Sequence, residues 1–296
     1  APIAAISVAP SSSLYSTVFE TGSGQLLHKY LSKNLVAIAT VKAFDSKKKK
    51  NFKSHILDLY LLNVVSGSII YHSSQEYASG PIHLSMEENV LVCQYSNEES
   101  SKIEVSVIEL FAREDLHADR TLIQAIFGQE SSKESISSFQ MDLPIVEKNS
   151  FVLPTGSIET IGVTHTGKGL TEKHFLFGLS NGRVAIFDRK FLNARRPTQP
   201  NKETMAEGLI PSAPFLQISP AQQFLTLDYS VSRIRDIISH PSDMESTTHI
   251  LVCGTDLFYV RHAPSGTFDM LGGDFSHFLL FAVIVGLGAP GHGHRR

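Results

Sequence analysis

The residues of this chain that could do chemistry are thirteen histidines, two cysteines and a few paired arginines. The histidines invite a metal site. Tetrahedral zinc binding needs ligands at defined spacings, and no HExxH, no CxxC and no His/Asp cluster on one expected strand occurs. His292 and His294, in the tail GHGHRR, have no second layer of groups to orient their rings. GKGLT, from Gly167 to Thr171, lacks the upstream glycine and the Ser/Thr directly after lysine that a phosphate-cradling loop requires. No GxSxG elbow exists to strain a serine nucleophile. The expectation is therefore no catalytic residue, no metal site and no cofactor.

Arg195, Arg196, Arg233 and Arg235 are the candidate contact residues. In VSRIR, a strand would put Val231, Arg233 and Arg235 on one face and Ser232 and Ile234 on the other. Two arginines on one face serve either local ion pairs at a sheet edge or a partner's carboxylates. Cys93 (in VLVCQY) and Cys253 (in HILVCGT) lie in apolar runs and read as small hydrophobes on buried strands. Two cysteines make no disulfide framework, and their spacing does not decide whether they are joined. The run Lys47 to Lys50 reads as a solvated hairpin tip, with an anionic contact surface as the alternative.

The elements that must position these residues are strands. At 296 residues, 42% hydrophobic and a net charge of −3, the chain can hold one large β domain or two smaller ones. It carries no overall nucleic-acid footprint. Four stretches repeat an apolar run, a Gly-containing turn and a second run, with turns at Gly22 to Gly24, Ser66-Gly67, Asn181-Gly182 and Ser265-Gly266. Asn181-Gly182 predicts a type I′ hairpin, whose central residues both need positive φ. Four such units point to radially repeated blades, with a β-sandwich as the alternative. LYLLNVVSGSIIYH resembles the outer strands of a quinoprotein-type blade. Short helices are expected at Gln25 to Leu31, Asp119 to Phe127 and Phe187 to Ala194. Loops are expected at 45–53, 129–138 and 197–214.

Eight motifs in fixed order carry a family resemblance. They are LLHKYLSKNL (Leu26 to Leu35), SGPIH (Ser79 to His83), SVIELF (Ser106 to Phe111), TGKGLTEKHFLFGL (Thr166 to Leu179), NARRPTQP (Asn193 to Pro200), LIPSAPFLQISP (Leu209 to Pro220), VSRIR and LVCGTDLFYVRHAPSGTFDML (Leu251 to Leu271). Together they resemble the C-terminal region of the ER membrane protein complex subunit 1 family, over residues 14–285. The resemblance implies a mainly β fold, the C-terminal part of a propeller at 1–274, followed by a membrane-anchor-like segment at 275–296. It implies a non-catalytic scaffold in the ER membrane, with the bulk of the chain lumenal. The partners implied are the other subunits of a complex that inserts tail-anchored and multi-pass membrane proteins, the clients themselves, and no nucleic acid. The rival readings are a quinoprotein-like oxidoreductase and a soluble interaction propeller.

The chain starts at Ala1 without a visible signal peptide, and the resemblance favours an incomplete start over a processed precursor. In the family, a propeller is built from both chain ends, so the fragment is expected to lack its first strands. The anchor-like segment is carried by Phe278, Leu279, Leu280, Phe281, Val283, Ile284 and Val285. Its apolar run would reach only ~18 Å as a helix, against about 30 Å of hydrocarbon. Gly286, Gly288 and Pro290 weaken its end, so this segment as written is not expected to span a bilayer.

Overall fold

Apolar residues that alternate or run together become strands here, and the strands pair into four antiparallel sheets. The computed structural model describes residues 1–9, 18–45, 53–113, 143–154, 156–169, 171–216, 224–263 and 277–288. The first sheet starts with β1 (Ile3–Val8). The chain then makes a separate two-stranded ribbon, β2 (Val18–Glu20) and β3 (Leu26–His28), before completing that sheet with β4 (Leu35–Asp45), β5 (Lys53–Asn63) and β6 (Ile69–Glu76). The second sheet is β7 (Ala78–Glu87), β8 (Val90–Asn97), β9 (Lys102–Phe111) and β10 (Ile145–Leu153). The third is β11 (Ile158–Val163), β12 (His174–Leu179) and β13 (Val184–Asp188), and the fourth β14 (Asp236–Pro241), β15 (Thr248–Cys253) and β16 (Leu257–His262). In every sheet the strands pair in sequence order, β1 pairing directly with β4.

The first strands of the four sheets meet in succession: β7 lies against β1 and β11, and β11 against β14. Each sheet is therefore a blade with its first strand innermost, which is the β-propeller arrangement and not a two-layer sandwich. Three buried apolar clusters follow, one for each pair of neighbouring blades. Alternation along a strand feeds two of them at once. Phe177 of β12 packs with Val92, Val107 and Phe187, while Leu176 turns to Ile237, Ile250 and Val252. This is why the central strands read as unbroken apolar runs. The outer faces of the terminal blades are bare: Ile6 and Val8 in the first, and Ile238, Leu257 and Tyr259 in the last, are exposed.

The expected turns occur at the expected glycines, with one change of type. Gly67 and Gly182 are left-handed, at φ 69° and 80°. Asn181 is not, so the β12–β13 turn is not type I′. Gly182 N–H instead donates to Leu179 O at 2.9 Å and Leu179 N–H to Arg183 O at 2.9 Å, a type I turn closed by a glycine bulge. The turn expected at Gly266 lies outside the described residues, as do the helix at 119–127, the loop at 129–138, the lysine run and the histidine tail.

Two helix expectations are corrected. Gln25 to Leu31 is not a helix: Thr21 N–H donates to Gln25 O at 2.8 Å, and Leu26 and Leu27 enter the ribbon. Phe187 to Ala194 shrinks to one 3-10 turn, Arg189–Leu192, because Phe187 is the last pair but one of β13 against β12. Conversely, the expected loop at 197–214 contains α1 (Lys202–Ala206), started by a capping box between Asn201 and Thr204. The helix packs on the ribbon so closely that a Cβ on Gly22 would lie 1.8 Å from Glu203 O. Finally, α2 (His277–Gly288) exposes every side chain from Phe278 to Ile284. Among the described residues no helix is long and apolar enough to cross a membrane.

Candidate functional site

At one rim of the fan, charged side chains that sequence reasoning did not single out converge in the interior. β7 ends at Glu87, and the turn to β8 is made by Glu88 in the left-handed region, at φ 52°. That backbone directs the Glu88 carboxylate inward. Lys29, just past β3, donates to it at 2.6 Å. Lys173, at the start of β12, approaches Glu88 at 3.5 Å and pairs with Glu87. Arg189, in the 3-10 turn after β13, donates to Glu88 at 3.3 Å and to Asn89 Oδ1 at 2.8 Å. Half-buried His165 stands 3.5 Å from Glu87. The side chains of Lys29, Glu87, Glu88, Lys173 and Arg189 are all less than a tenth exposed. The cluster joins the second blade, the third blade and the segment entering β4.

Burial and pairing oppose each other at these groups. Burial works against ionisation of Glu88, but Lys29, Arg189 and Lys173 outweigh it and hold the carboxyl below its ordinary value. Burial, then Arg189, pulls the Lys29 ammonium down, against Glu88. Glu109, on β9 beside the cluster, is buried and 3.9 Å from Arg189. Burial pushes its carboxyl up, and Oε1 has no hydrogen-bond partner. Nearby, the His174 and His262 rings lie 5.8 Å apart, tilted at 53°, and burial with the neighbouring His174 takes His262 down to about 4. None of this assembles a nucleophile and base. Among the described residues no group of three or more His, Cys, Asp or Glu could hold a metal ion.

Beside the cluster lies a cavity of about 160 Å³, walled by Phe19, Glu109, Phe111, Glu172, Arg195 and Glu207 among others.

The candidate arginines fall into two classes. Arg195 is gripped by both oxygens of Glu207, one at 3.1 Å, and sits 5.8 Å from the Phe111 ring centre. Arg196 is buried, donating to the carbonyls of Phe191 at 2.9 Å, Ile210 at 3.4 Å and Pro211 at 2.5 Å, over the Phe151 ring. It holds the 197–214 segment against the blades. Arg233 and Arg235 are exposed and pair with no described residue. VSRIR is not a strand, which corrects the alternation expected for it. Arg233 adopts φ 52°, so the segment turns, and Val231 and Ile234 are buried while Ser232, Arg233 and Arg235 face out. Ser232 O, accepting from Thr255, and Asp256, accepting from Ser232 N–H at 2.8 Å, fix that turn. Cys93 is buried and free, its thiol pushed up to about 12 by burial; Cys253 is also free but only half-buried, at the end of β15.

Comparison with known proteins decides the family. The profile described as ER membrane protein complex subunit 1, second beta-propeller, matches residues 2–265. The chain belongs to the ER membrane protein complex subunit 1 family. Proteins named ER membrane protein complex subunit 1 from Xenopus laevis and Gallus gallus are 33% and 32% identical to it, each over 90% of this chain and 25% of the relative. The protein of that name from Saccharomyces cerevisiae is 26% identical, over 89% of this chain and 34% of its own length. The chain thus spans about a quarter of the length of the two vertebrate relatives. Within this ER membrane protein complex subunit 1 propeller, the buried cluster was partly visible in sequence. Lys29 and Glu109 interrupt apolar stretches inside the motifs quoted above, whereas Lys173 sits in the polar TEKH run, and a charge embedded in SVIELF is the signal that could have found Glu109.

Proposed function

We propose that this chain is a non-catalytic propeller module of a scaffold subunit in an ER membrane protein complex, supporting insertion of tail-anchored and multi-pass membrane proteins. The family match over residues 2–265 is the observation that carries this reading. In it, residues 1–274 are the lumenal propeller portion and 275–296 a membrane-facing segment. The bare faces of the first and last blades are covered by further blades contributed by the rest of a longer protein. Exposed Arg233 and Arg235 are the arginines available to a neighbouring subunit; Arg195 and Arg196 serve the fold. The test is to tag the protein in its native host, solubilise membranes in mild detergent and identify what co-purifies. Other ER membrane protein complex subunits in comparable amounts are the expected result. Recovery of the protein alone, or from a compartment other than the ER, would overturn the proposal.

A further inference from the structure

The pocket beside the buried cluster has bases that are matched and acids that are not. Arg195 is held by Glu207, Lys190 by Asp188 at 2.8 Å, and Arg189 by Asn89 and Glu88. On the acidic side, Glu109 is 1% exposed and its Oε1 lacks any hydrogen bond. Glu20 and Glu172 also line the pocket; neither forms an ion pair within 4 Å with a described residue, although Glu172 feels the charges of Arg189, Lys190 and Lys29. Glu109's nearest cation, Arg189, is 3.9 Å from Oε1 and already donates to Glu88 and Asn89, so the three acidic side chains around this cavity lack a close cation of their own.

We propose that this pocket receives a single arginine side chain from a partner polypeptide. The inference rests on the subunit reading above and names where one partner engages. An anion is disfavoured because Arg189, Lys190 and Arg195 each already stand within ion-pair distance of an acid, although Arg189 Nε makes no hydrogen bond. A metal ion is disfavoured because the carboxylates do not converge on one point. A cavity of about 160 Å³ has the volume of about five waters at ~30 Å³ each, enough for a guanidinium head. The planar fork of five donors can reach Glu109 Oε1 at the bottom while facing Glu172 and Glu20 at the rim. Phe19 and Phe111 give its methylene stem an apolar wall. Burial already holds the Glu109 carboxyl above its ordinary value, and an arriving cation would ionise it.

The test has two arms. In the first, the purified full-length protein is titrated with N-acetyl-arginine amide, N-acetyl-lysine amide and the uncharged isostere N-acetyl-citrulline amide. The arginine probe should bind, and Glu172→Gln should weaken it by about tenfold. Equal binding of citrulline amide overturns the charge argument, and equal binding of lysine amide overturns the choice of arginine. In the second arm, Glu20→Lys is introduced into the tagged protein in its complex. Glu20 is exposed and forms no ion pair with a described residue, so an unchanged melting temperature should accompany loss of one specific partner. Retention of every partner at the wild-type level overturns the pocket while leaving the scaffold reading standing. Failure of the wild-type protein to recover any partner overturns the scaffold reading, and this proposal with it.

Discussion

Glu88 occupies a turn position that disfavours a side chain, yet three cations converge on its carboxylate. A buried ion cluster of this kind adds little net stability when whole but is costly to break, because the survivor keeps its desolvation penalty. Lys29→Met should therefore cost about 3 kcal/mol in urea unfolding, with Lys29→Met plus Glu88→Gln costing less than the single change. The two buried glutamates respond oppositely to pH. Glu109, raised by burial, keeps a proton that the unfolded chain loses, so its contribution to stability falls as pH rises from the ordinary 4.5 through its folded value. Glu88, held low by Lys29, Arg189 and Lys173 despite its burial, contributes stability above 4.5 that is lost as pH drops through its depressed value. Glu109→Gln removes only the first dependence. The stability of that variant relative to wild type should rise as pH climbs from the ordinary 4.5 through the raised folded value of Glu109, then level off. A flat difference would show that Glu109 titrates normally. The sequence offered Arg195 and Arg196, with Arg233 and Arg235, as contact residues because paired arginines can meet a partner's carboxylates. Apart from Phe191 O, the hydrogen-bond partners of the Arg195 and Arg196 side chains lie 12 to 15 residues further on, in a segment whose fold no local pattern revealed.

Blades were legible where glycine makes the turn and illegible where another residue does. The β5–β6 and β12–β13 hairpins were read from Gly67 and Gly182. The second blade has no such marker: Glu88 and Ser101, at φ 52° and 53°, supply its left-handed positions. Tertiary contacts compensate that strain at Glu88, and no propensity argument could anticipate it. The first run-Gly-run unit was real but became the β2–β3 ribbon instead of a blade. VSRIR mimicked a strand because residues outside a turn can alternate by chance, while its actual spacing of buried residues, Val231 and Ile234, is three. The two legible glycines differ in how much they matter. A Cβ on Gly67 meets nothing within 4 Å, whereas one on Gly182 would lie 2.6 Å from Val231 O. Gly67→Ala should cost about 1 kcal/mol for the left-handed backbone alone, and Gly182→Ala about 3 kcal/mol, since the carbonyl must also move. Equal losses in thermal or urea unfolding would refute the close approach. Phe177 fills the space between the second and third blades and is wholly buried. Phe177→Ala should cost about 3–5 kcal/mol.

Across the described residues, four consecutive blades seal the faces between them and leave their two outer faces open. Ile6 is 56% exposed and Tyr259 60%, on sheets whose opposite faces are buried. Bare apolar faces on blades mark surfaces meant to be covered. On the function proposed above, the covering material is further blades of a longer protein and its fellow subunits; the vertebrate relatives are matched over only 25% of their length. Hydrogen–deuterium exchange tests this most directly, comparing the isolated 296-residue chain with the tagged protein purified in its native complex. The account predicts that amides of β1, β14 and β16 exchange rapidly in the isolated chain and become strongly protected in the complex, while β8 and β12, already enclosed between blades, change little. Equal exchange of β1, β14 and β16 in the two samples would contradict it, because the bare faces would then be finished surfaces and not the joints of a larger assembly.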